Sequence, residues 1–164
     1  MASTRIILTP ESAHFPASGF AALGLSAYQS RPMLSFDAGA TEEEAWWTFI
    51  APQGLAGALS AVISYFMLSA TSGTCAWNVY VEAVSPADAQ DLDANATPGW
   101  DSTNDSSADT VPGTAGYLAQ ASVTLTNADS IAAGDLVRVR LVRDTSVDTA
   151  TGDACVLAVE IREA

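Results

Sequence analysis

The sequence predicts an all-β domain, an antiparallel β-sandwich of jelly-roll type with an irregular N-terminal arm. Three observations carry this. Several runs alternate apolar and polar residues with period two, as in Trp77-Asn78-Val79-Tyr80-Val81-Glu82. Clusters of Gly, Pro, Asp and Asn close each run before a helix of ordinary length has room to form. No segment combines a 3.6-residue apolar stripe with helix-terminating signals that outweigh its strand-forming residues. Residues 1–30 are read as the arm and residues 31–164 as the body.

Arg5 to Thr9 is a short strand stopped by Pro10. Glu11 to Gln29 is apolar but aperiodic, with Phe15, Phe20 and Leu25 scattered among Pro16, Gly19 and Gly24. Such a segment suits an arm lying on its own body or on a neighbour. Met33 to Phe36 is a short strand. Thr41 and Glu44 fit a helix capping box, but Ala45-Trp46-Trp47-Thr48-Phe49-Ile50 is rich in strand formers and ends early at Pro52 and Gly54. A strand is expected there, with Trp46 and Trp47 on opposite faces. Ala58 to Leu68 and Cys75 to Val84 form a hairpin about Ser72-Gly73-Thr74. Pro86 to Pro112 is a long acidic loop whose one large aromatic residue is Trp100. Tyr117 to Thr126, Leu136 to Arg143 and Cys155 to Arg162 are the last three strands. The final one is expected to place Cys155, Leu157, Val159 and Ile161 on one face. In the strand before it, Val137, Val139 and Leu141 share a face opposite Arg138 and Arg140.

Composition narrows function. The chain has 164 residues, a formal net charge of -13, six basic residues (all Arg) and one histidine, His14. One domain of this size buries enough surface to fold without metals or disulfides. The acidic surface repels phosphate backbones, so no nucleic-acid partner is expected. No window approaches the ~18–20 apolar residues of a membrane helix, and no secretory signal is expected at the N-terminus. A single histidine leaves no material for a His-based triad or a multi-His metal site, and no phosphate loop, nucleophile elbow or zincin motif is present. No enzyme activity and no cofactor are expected. Cys75 and Cys155 form no CxxC unit. They read as buried thiols, with a disulfide as the alternative should their strands adjoin.

Asp144, Asp148 and Asp153 sit in one loop and offer hard oxygens to Ca²⁺, although their spacing fits no EF-hand loop and no Asp-rich repeat; local backbone bonding is the simpler reading. Arg138 and Arg140 are expected to meet cross-strand acids such as Glu82 or Glu160. Trp77 and one of Trp46 and Trp47 belong to the core; the other, with Trp100, is a candidate contact residue or sugar-stacking ring.

Taken in order, Phe15-Pro16-Ala17-Ser18, Ser69-Ala70-Thr71-Ser72-Gly73-Thr74, Pro112-Gly113-Thr114-Ala115-Gly116, Val123 to Asp135, Arg140 to Asp144 and Asp148 to Ala154 resemble small β proteins of tailed-phage structural gene clusters. The resemblance is to head decoration (cement) proteins of jelly-roll type. It implies a non-catalytic virion protein on the outer capsid surface, assembled in the host cytoplasm. It also implies a homotrimer that binds the major capsid protein and stabilises its lattice. With that reading, Phe15 and Phe20 of the arm, together with Trp100, are the expected partner-binding residues. The alternative is a carbohydrate-binding β-sandwich module of a phage tail or adsorption protein, stacking sugars on Trp100 and on the exposed member of the Trp46–Trp47 pair.

Overall fold

The computed structural model describes residues 4–39, 41–55, 57–93 and 99–163. Twelve strands appear among them: β1 (Thr4–Leu8), β2 (Ala22–Leu25), β3 (Pro32–Phe36), β4 (Glu44–Ile50), β5 (Leu59–Met67), β6 (Thr74–Cys75), β7 (Trp77–Val84), β8 (Asn104–Asp105), β9 (Asp109–Thr110), β10 (Ala119–Leu125), β11 (Leu136–Arg143) and β12 (Ala154–Glu163). Single 3-10 turns lie at Pro10–Ser12 and Pro86–Asp88. No helix among the described residues is long and apolar enough to cross a membrane.

The strands form two main antiparallel sheets. One runs β10-β5-β12-β3-β2, with β1 also paired to β12; the other runs β4-β11-β7-β8; β6 and β9 form a small third pair. Among β3, β4, β5, β7, β8, β10, β11 and β12, every connection except β7 to β8 crosses between the two main sheets. With neighbour orders 3-12-5-10 and 4-11-7-8, this is the double Greek key of a jelly roll. The predicted fold class therefore holds.

The core lies between the sheets and follows the period-two pattern. Trp47 and Trp77 are buried, Trp77 meeting Phe36 at 5.2 Å and Tyr65 at 5.5 Å between ring centroids. Trp46 faces outward from the same strand as Trp47, as alternation requires.

Four local features differ from the sequence expectation. The described part of the N-terminal stretch is integrated into the body. β1 pairs with β12, β2 pairs with β3, and His14 and Phe20 form bridges to Trp46 and Glu44 of β4. Residues 1–3 of the expected arm lie outside the described residues. The run from Cys75 forms no hairpin with β5, because β7 lies in the opposite sheet, and it divides at Ala76: Cys75 pairs with Asp109 outside the main sheets, while the Trp77 amide is drawn to Ser106 Oγ at 2.8 Å before β7 enters its sheet. The acidic loop carries β8 and β9, and its residues 94–98 lie outside the described residues. Finally, a bulge between Val156 and Ala158 resets β12. Ala154 and Val156 face the core before it, Val159 and Ile161 after it, so Cys155 and Leu157 leave the expected core face.

Candidate functional site

The outer face of the four-stranded sheet gathers residues that the sequence nominated for separate reasons. In register across β4, β11 and β7, Trp46, Arg140 and Tyr80 form one row; Thr48, Arg138 and Glu82 form the next. Trp100 arrives from the acidic loop, whose backbone runs beside β7: the Asp101 amide donates to the Val81 carbonyl and the Gly99 amide to Glu82 Oε1. This lays Trp100 against Trp46, edge to face, with centroids 5.7 Å apart. His14 also meets Trp46 edge to face, with ring centroids 6.1 Å apart. Partial desolvation there, followed by the Arg138 charge, lowers the imidazole pKa below its ordinary value.

Both arginines are neutralised and braced. Arg138 pairs with Glu82, as expected from the sequence, and Arg140 pairs with Glu44. Glu44 also accepts from Trp46 Nε1 at 3.1 Å. Glu160, the other acid considered for these arginines, instead holds Arg162 on the opposite sheet. The guanidinium carbon of Arg138 lies 4.7 Å from the Trp100 ring centroid and 5.9 Å from that of Trp46; that of Arg140 lies 4.6 Å from Tyr80. Cation–π contact and ion pairing thus fix three half-exposed aromatic rings in one rigid patch. Trp100 Nε1 is buried and has no hydrogen-bond partner among the described residues.

The other expected site residues go elsewhere. Phe15 packs against Phe20 at 5.9 Å and contributes to the margin of the core, while Phe20 is 46% exposed. Asp144, Asp148 and Asp153 do not converge on a cation. Asp144 is bonded to Ser146 and Asn78, Asp148 to Arg143 and the Ala150 amide, and Asp153 to Ser35. Among the described residues no three His, Cys, Asp or Glu groups are placed to hold a metal ion. Desolvation opposes ionisation of Asp144, but its bonds from Ser146 and Asn78 outweigh it and hold the carboxyl below its ordinary value.

Sequence reasoning missed Arg143. It sits in the core register of β11, after Val137, Val139 and Leu141, and is completely buried. Its Nε donates to Asp148 at 2.6 Å, and its remaining nitrogens donate to the carbonyls of Phe36, Gly152 and Ala150 at 2.7–2.9 Å. The signal was present: an arginine on the apolar side of an alternating strand demands a buried acceptor set. Cys75 beside this cluster is a free buried thiol, pushed up to about 12 mainly by desolvation; Cys155, also free and buried, is raised for the same leading reason.

No family model matches the chain, and no curated protein matches it. Among solved structures the chain is similar to the crystal structure of a carbohydrate-binding module specific for non-crystalline cellulose, CBM28, at 11% identity and a TM-score of 0.41, covering 98% of this chain and 94% of that one. A likeness at that identity and score carries no argument about what the present chain binds.

Proposed function

We propose that the chain is a non-catalytic structural protein of a virion, a head decoration protein that binds and stabilises the major capsid protein lattice as a trimer. The observation that carries this reading is the braced patch of Trp46, Trp100, Tyr80, Arg138 and Arg140. Trp, Tyr and Arg are the residue types that dominate binding energy at protein interfaces. Their charges are already paired with Glu82 and Glu44, so covering the patch strands no lone ion. Their side chains are already ordered, so docking costs little additional entropy. The capsid-side assignment itself rests on the family resemblance.

The test is binding of the purified protein to expanded heads of its own phage. Trp100→Ala is expected to weaken attachment by about 2 kcal/mol or more, roughly thirtyfold. Undiminished head binding by a folded Trp100→Ala protein would refute the assignment of this patch. The carbohydrate reading draws on the same half-exposed Trp46 and Trp100. Against it, Arg138 lies over both Trp100 and Trp46, the rings on which a sugar would stack. A glycan-array response abolished by Trp100→Ala, with no binding to heads, would favour the sugar-binding alternative.

A further inference from the structure

The opposite sheet carries a second surface. At the Met67 end of its outer face lies an apolar depression of about 690 Å³, walled by Phe66 of β5, Leu68 just past its end, Leu157 of the β12 bulge, Leu118 and the β2–β3 turn. Tyr28, 96% exposed, and Arg31 stand on that turn. Arg31 differs from the other arginines. Of the five whose side chains are described, Arg138, Arg140, Arg143 and Arg162 each pair with a carboxylate; Arg31 pairs with none among the described residues. In a chain of net charge -13, an unneutralised cation beside an apolar hollow calls for an apolar knob carrying negative charge.

The chain itself presents such a knob. Leu92 is 65% exposed and is flanked by the exposed Asp91 and Asp93 in the loop after β7. With Ile50, Val84 and Leu136, Leu92 of this loop lines a hollow at the C-terminal end of β7. The depression belongs to the other end of the sandwich: Met67 pairs with Ala154, Ala154 with Phe36, and Phe36 packs on Trp77 at the start of β7. Trp77 and Val84 are seven steps apart, about 23 Å along the strand. A protomer therefore cannot seat its own Leu92 in its own depression.

We propose that the depression receives the Asp91-Leu92-Asp93 loop of a second copy of this chain, Leu92 entering between Phe66 and Leu118 and the two aspartates meeting Arg31. Knob and hollow are different surfaces, so the contact is head-to-tail. Such a contact closes into a ring when its rotation permits. The inference rests on the trimer in the function proposed above and supplies its contact; it does not involve the Trp100 patch.

The test is solution mass by light scattering over a concentration series, with four proteins. The wild type is expected at three times the 16.9 kDa protomer. Arg31→Glu and Leu92→Asp, both at exposed turn positions, are each expected to raise the dissociation constant at least about tenfold, equivalent to ~1.4 kcal/mol. Combining Arg31→Glu with Asp91→Arg and Asp93→Arg is expected to restore assembly, which loss of folding would not do. A wild-type trimer indifferent to both single changes would overturn this contact and leave the trimer standing. A wild-type monomer at every concentration would overturn contact and trimer together, while head binding through Trp100 stays a separate measurement.

Discussion

At the scale of single residues, buried charge is the most consequential feature. Arg143 is solvated entirely by Asp148 and three backbone carbonyls, and these bonds tie β3, β11 and the 148–152 loop together. Removing one member of such a set leaves the others buried without partners. Arg143→Met is expected to lower stability by about 3–5 kcal/mol, measured by denaturant unfolding. Glu43 is poised in the opposite sense. Desolvation raises its pKa above the ordinary value; the bond from the Asp37 amide opposes this, the charges of Asp37 and Asp153 add to the rise, and the charge of Arg143 opposes it. A carboxyl with a raised native pKa binds protons more readily in the folded state. Its ionised form thus costs stability at pH 7, and the cost disappears as pH falls through the raised value toward the unfolded one. Glu43→Gln keeps an oxygen for the Asp37 amide. It is expected to raise the melting temperature at pH 7, with the gain shrinking toward pH 4. A gain that grew on acidification would contradict the sign.

At the scale of elements, the clearest strands were legible because one face of each is buried. Leu136–Arg143 has the boundaries its alternation gives, and Trp46 and Trp47 divide between surface and core as a pleat demands. What alternation does not encode is a bulge. Nothing in Cys155-Val156-Leu157-Ala158 announces the added residue, which arises from pairing with β5, so alternation alone puts Cys155 and Leu157 on the wrong face. The N-terminal stretch was opaque for a related reason. Its strands are short, and what holds them is their partners, β12 far along the chain for β1 and β3 for β2, rather than their own pattern. β1 needs β12, and Trp47 Nε1 donates to the Thr9 carbonyl at 2.9 Å. Deleting residues 1–25 therefore opens the body itself. The loss of buried Leu8 and of the Trp47 acceptor is expected to cost at least ~3 kcal/mol. A truncated protein melting with the full chain would show that β1 and β2 add nothing to the sheet. The candidate site was half legible: the sequence nominated Trp100, one of the Trp46–Trp47 pair, Arg138 and Arg140 separately, but their meeting depends on how an acidic loop crosses beside β7, which no local pattern records.

At the scale of the whole molecule, two faces of one jelly roll carry different chemistry. The four-stranded sheet presents a rigid, charge-paired aromatic patch, and the six-stranded sheet an apolar hollow with one uncommitted cation. If the chain binds a lattice as proposed, two faces serve it better than one, because each added contact acts at the high local concentration set by the first. The arginines give this molecule one further property. The chain has no lysine, and five of its six arginines lie in strands: Arg5 in β1, Arg138, Arg140 and Arg143 in β11, and Arg162 in β12. The sixth, Arg31, stands on an exposed turn but is followed by Pro32, and a proline at that position blocks cleavage by trypsin-like proteases. Those enzymes need an extended, accessible segment after a basic residue, which strands locked in a sheet do not offer. The folded protein is thus expected to survive trypsin intact while the urea-unfolded chain is cut at its remaining arginines. On the decoration-protein reading proposed above, a fold that places nearly every tryptic site inside a hydrogen-bonded ladder would be armour against digestion by that class of enzyme.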